Sequence, residues 1–146
     1  MRLIALLAAL AGLLSGPVTL ETRIVRAAPA AGDDIAGYVR IANAGEADRL
    51  VEVSCACAEK VEVHRVDRSG PAPDMVTMPG IDVPAHGALE IRPGSALHLM
   101  LMGVKAPIPA GSSVELTFRF ERAGTIKADF AAVEDTRAAW DAARAN

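Results

Sequence analysis

The chain opens on an apolar run and then changes to a two-residue alternation that persists almost to its end. From Thr19 to Arg26 the alternation takes Leu20, Thr22, Ile24 and Val25 as its apolar positions. Alternation of this kind predicts a half-buried strand, because successive side chains on a pleated backbone point to opposite faces. Further strands are predicted over Ala36 to Asn43, Arg49 to Cys55 and Lys60 to Val66, each closed by a turn such as Asn43-Ala44-Gly45 or Arg68-Ser69-Gly70-Pro71. Short strands are predicted at Met75 to Met78, inside a Pro/Gly-bounded loop, and at Ala88 to Arg92. His98 to Gly103, Ser113 to Glu121 and Thr125 to Ala132 complete the set. Many short strands at this spacing predict an all-β sandwich or Greek-key barrel. A helical period enters only at Glu134 to Arg144, with acids in its first turn, Arg144 in its last and Trp140 as its anchor onto the domain or its exposed tip.

The leading run, Leu3 to Leu14 with Gly12 inside it, follows Arg2 and ends at Ser15-Gly16-Pro17. That layout predicts a secretory signal peptide over residues 1–18, cut between Ser15 and Val18. The run is shorter than the roughly 20 residues a membrane span needs. The expected organisation is therefore a leader (1–18), one β-domain (19–133) and a helical tail (134–146), with a soluble exported product. Arg2 is the only charged residue before Glu21, so of 15 basic residues 14 remain after cleavage, against 18 acidic. An acidic product disfavours nucleic acid and anionic membrane surfaces as partners.

Export bears on the two cysteines, Cys55 and Cys57. Free thiols do not last in an oxidising compartment, so oxidation to a tight disulfide is expected ahead of metal ligation. A bridge this short is a poor staple, because it closes almost no loop.

The candidate chemistry lies in His98-Leu99-Met100-Leu101-Met102. With Leu99 and Leu101 directed inward, His98, Met100 and Met102 share an outer face, where Lys, Glu, Thr or Ser would be usual. Val61 and Val63 likewise leave Glu62 and His64 on an outward, exposed face. Apart from the initiator, every methionine (Met75, Met78, Met100, Met102) falls between residues 75 and 102. Thioether and imidazole are soft and borderline donors that suit Cu(I). A thioether has no proton to displace and cannot be lost to a disulfide, so the mixture works where thiolates fail. It suits zinc poorly, and magnesium or calcium not at all. His86, in the turn Val83-Pro84-Ala85-His86-Gly87, reads as a surface residue.

Beyond these donors, the spacing resembles the periplasmic copper chaperones called PCuAC. In that family a His is followed by ten residues and a Met, then about twenty-one residues and His-x-Met. Here ten residues separate His64 from Met75, and twenty-two separate Met75 from His98-Leu99-Met100. Met78 would break both spacings further and stands second to Met75. Gly37-Tyr38-Val39-Arg40-Ile41-Ala42-Asn43, Val61-Glu62-Val63-His64, Pro93-Gly94 and Phe120-Glu121-Arg122-Ala123-Gly124 match the surroundings, so the resemblance covers Leu20 to Val133. It implies a cupredoxin-like β-sandwich, monomeric, with Cu(I) held by His64, Met75, His98 and Met100. It also implies copper delivery in the periplasm to the dinuclear centre of cytochrome c oxidase, through subunit II directly or a thioredoxin-like copper chaperone.

Two other readings fit the residues: a periplasmic copper buffer or resistance protein with the same site, and a metal-free exported interaction domain. No nucleophile–base pairing points to an enzyme. A blue-copper electron carrier would need a cysteine ligand near the C-terminal strands.

Overall fold

A computed structural model describes residues 16–145. The expected signal peptide lies, up to Ser15, outside the described residues. The first strand, β1, runs Val18–Arg26, and Val18 is already buried. It is followed by β2 (Ile35–Asn43), β3 (Asp48–Ser54), β4 (Ala58–Asp67), β5 (Asp74–Met78), β6 (Ile81–Val83), β7 (Gly87–Ile91), β8 (Leu97–Val104), β9 (Ser113–Phe120) and β10 (Gly124–Val133), and then by helix α1 (Thr136–Arg144). The all-β architecture is the one the alternation predicts. The strand missed is β6, three residues long and too short to show a period.

The strands form one curled sheet in the order β5-β4-β8-β2-β1-β10-β9-β3-β6. One edge of β2 is shared: Ile35 to Gly37 pair with β8, and Val39 to Asn43 pair with β7. Strands β1 and β10 run parallel, and the other pairs are antiparallel. The curl brings alternate side chains of every strand into one core, including Val25, Val39, Ile41, Leu99, Leu101 and the stacked Phe118 and Phe130. All three phenylalanines are buried there, which is how a chain poor in aromatics fills its centre.

Gly37 explains how closely β8 can lie against the interior. It sits directly opposite Leu99. A Cβ at Gly37 would come 3.3 Å from Val25 and 3.4 Å from both Leu101 and Leu99. The missing side chain leaves the room these leucines occupy.

Helix α1 begins two residues later than the pattern predicts. Asp135 is its N-cap, accepting from the Ala138 N–H at 3.0 Å, and its first turn carries no acid. The acids sit before the helix because a carboxylate there satisfies an otherwise unpaired N–H. Trp140 is buried, so of the two roles open to it, anchor or exposed tip, it is the anchor, and Arg144 pairs with Glu90 of β7.

Candidate metal centre

Strands β4 and β8 pair antiparallel in a register that sets His64 directly opposite His98. Directly opposed positions hold their Cβ atoms about 4.5–5.5 Å apart. The rings accordingly meet edge to face, with centroids 5.6 Å apart and planes at 79°. Their strand neighbours Val63 and Leu99 enter the core, so both imidazoles occupy the opposite face, as the alternation predicts.

That face is not open to solvent at this point, contrary to expectation. Each histidine retains only 8% of its surface. The reason is position across the sheet: β4 and β8 are flanked by β5 and β2, so the pair lies in mid-face, with Glu62 against His64. Strand alternation reports which way a side chain points, and says nothing of what stands beside it.

The methionines take three distinct situations. Met100 is half-buried on the histidine face, one alternate position along β8 from His98, between Glu62 of β4 and Ala36 of β2. Met75 lies on the edge strand β5, opposite Val66, and so shares the same face. It stands one alternate position beyond His64 in the other direction and is 52% exposed. Met78 is opposite Val63 and packs against the hydrophobic core on the other face. Met102, opposite Lys60, lies farther along the histidine face. The fold thus brings His64 and His98 into contact, puts Met100 beside them, and leaves Met75 at the rim.

The remaining candidates lie elsewhere. Cys55 and Cys57 are joined to each other across the turn between β3 and β4, with Cα atoms 5.0 Å apart. His64 lies six strand positions beyond Ala58, which is just past that turn, about 20 Å of extended chain. His86 is exposed in its turn with φ of 50°. Among the described residues no group of three or more His, Cys, Asp or Glu could hold a metal ion. The side chains on the histidine face near the pair that could add a soft donor are thioethers, Met100 beside it and Met75 at the rim.

Electrostatics defines which atoms are free. Glu62 Oε2 accepts from His64 Nε2 at 2.7 Å and from the Thr77 hydroxyl at 3.1 Å, while Lys60 Nζ lies 3.0 Å from Oε1. The His64 and Lys60 bonds, led by His64, hold the Glu62 carboxyl down at about 2. It is ionised at neutral pH and can only accept, so His64 Nε2 carries the proton in that bond. Burial, and secondarily the repulsion between the two rings when both are protonated, lowers the pKa of His98 below the usual imidazole value. Burial thus favours the neutral ring of His98, the form that has a lone pair available.

Among the described residues, two buried side-chain polar atoms have no hydrogen-bond partner: His64 Nδ1 and His98 Nε2. Buried polar atoms are nearly always paired, and an orphan asks for a cause such as an ion. Here both orphans are ring nitrogens, one from each member of a contacting pair, beside a thioether. Sequence reasoning missed Glu62 and Thr77, although the alternation that places His64 also places Glu62 on its face.

Comparison with known proteins follows the same line. The LpqE-like family, described as "Putative lipoprotein LpqE-like", matches residues 18–132. The chain belongs to the LpqE-like family. Among curated relatives, "Putative lipoprotein Lxx21020" of Leifsonia xyli subsp. xyli is 31% identical over 92 residues. That match takes in 62% of this chain and 55% of the relative, so the chain spans about half of that protein's length.

Solved structures resemble this LpqE-like chain over more of its length. The copper-bound PCuAC domain from PmoF2 has a TM-score of 0.67 and 26% identity, over 84% of this chain and 97% of that domain. Apo-DR1885 from Deinococcus radiodurans has a TM-score of 0.62 and 26% identity, over 84% of this chain and 83% of that one. The LpqE-like chain has the cupredoxin-like β-fold of PCuAC domains. Among the described residues no helix is long and apolar enough to cross a membrane.

Proposed function

We propose that this LpqE-like protein is an exported, non-enzymatic carrier of Cu(I), and that His64 Nδ1, His98 Nε2 and the sulfurs of Met100 and Met75 hold the ion. The observation that carries this reading is the pair of unpartnered ring nitrogens on contacting histidines, with Met100 one position away on the same face. Two imidazoles and two thioethers form a soft neutral set that favours Cu(I) over zinc. The likeness to a copper-bound PCuAC domain supports the same reading.

Met75 is the exchangeable ligand. It sits on an edge strand, more than half exposed, so it can swing over the histidines when copper is held. An acceptor's sulfur can displace it while the two histidines keep the ion. Delivery in the periplasm to the dinuclear copper centre of cytochrome c oxidase, directly at subunit II or through a thioredoxin-like chaperone, is the role this arrangement suits.

Anaerobic Cu(I) titration of the mature protein tests the site, with ligation read by X-ray absorption. One ion with mixed nitrogen and sulfur neighbours is expected. The double variant H98A/M100A should lose tight binding. Unchanged affinity in that variant would end the assignment. Loss of oxidase activity on gene deletion at low copper would support delivery, whereas copper sensitivity alone would point to buffering.

A further inference from the structure

The buried histidine pair raises a problem of proton placement. A neutral imidazole carries one N–H, and which nitrogen bears it decides which can bind a metal. If Nδ1 of His64 held the proton, the nitrogen left facing Glu62 would be the basic one, and the buried orphan would present a hydrogen instead of a lone pair.

We propose that Glu62 is the positioning residue of this site, fixing His64 as the Nε2–H tautomer so that its buried Nδ1 is left as a donor for copper. The inference rests on the copper reading above. Its geometry is local. Glu62 and His64 are two residues apart on β4 and therefore share a face. Glu62 Oε2 lies 2.7 Å from Nε2, and an ionised carboxylate has only lone pairs to offer that nitrogen.

The carboxylate is itself held in place. The Thr77 hydroxyl donates to the same oxygen at 3.1 Å, and Lys60 engages the other at 3.0 Å. Thr77 lies on β5 directly opposite His64 and two residues from Met75. One carboxylate thus orients the first histidine and ties down the edge strand that carries the outermost thioether. Carboxylate partners of this kind set the ring orientation and basicity of metal-bound histidines, and their loss costs about 10–100-fold in metal affinity.

The test uses the mature protein and three variants: E62A, E62Q and H64A. Nitrogen-15 NMR of the metal-free wild type should show His64 protonated at Nε2 and bare at Nδ1. E62A should mix the tautomers and weaken Cu(I) binding in a competition titration by about 10–100-fold. E62Q keeps a carbonyl oxygen for the same bond and should retain the tautomer and most of the affinity.

A wild-type His64 protonated at Nδ1 would overturn the proposal, and this result needs no variant to fold. So would an E62A protein that binds within about twofold of wild type while H64A has lost tight binding. That combination would leave the histidine site standing and remove only Glu62. An H64A protein that binds like wild type would instead fell the copper-site reading beneath it.

Discussion

Replacing His98 by leucine should make the metal-free protein more stable while abolishing its response to copper. His98 is 8% exposed and its Nε2 is an unpartnered buried atom. Such an atom costs about 1–3 kcal/mol in lost hydration. Leucine is of similar volume and has no polar atom to strand. The substitution also loses the edge-to-face contact with His64, a kind of contact worth about 0.5–1.5 kcal/mol. With central values of about 2 and 1 kcal/mol, the net gain is about 1 kcal/mol. In a domain of this size that is roughly 3–5 °C in Tm. Thermal unfolding of both proteins with and without Cu(I) under anaerobic conditions reads the effect. Wild type should gain about 2.7 kcal/mol when free copper is a hundred times its Kd, and the variant almost none. A metal-free variant clearly less stable than wild type would show that His98 belongs to the packing, and that its free nitrogen carries no cost. Equal stabilisation of both proteins by copper would show that the ion binds elsewhere.

Asp48 provides a pH-dependent test away from the metal site. Burial alone would raise its pKa, but it is outweighed by backbone N–H groups of Arg122, Arg49 and Ala123 at 2.8, 2.7 and 2.9 Å and by the charge of Arg122, so the net shift is downward. The unfolded chain therefore binds the proton more readily, and this contribution is complete well above pH 3.8 and is lost as pH falls through 3.8 toward the lower native value. D48N should cost about 1.5–3 kcal/mol at pH 7 by denaturant unfolding, with the difference from wild type shrinking in acid. The double variant C55S/C57S should lose only about 1.5 kcal/mol, because the bridge closes a three-residue loop, and its Cu(I) stoichiometry should match wild type in the same titration. M75A should weaken Cu(I) binding less than M100A does and should speed copper release to a competing chelator in stopped-flow measurements.

Strand identity was legible in the residues, because a half-buried strand has to alternate. Val61-Glu62-Val63-His64 and His98-Leu99-Met100-Leu101 carry their facing in their order. The donor types were legible too, since Met and His on an outward face need a reason that packing does not supply. Other features were out of reach because they depend on residues far apart in the chain meeting at one register. His64 faces His98 only because β4 pairs with β8 without a slip; a one-residue shift would send one ring into the core. The burial of that pair comes from β2 and β5 on either side, and the exposure of Met75 from β5 having no outer neighbour in the strand order. The sequence alone determined which side chains turn away from the core, through a local period of two. Tertiary structure decided which of them meet, which nitrogens lose their water and which thioether stays within reach of solvent, because those outcomes depend on strand order and register.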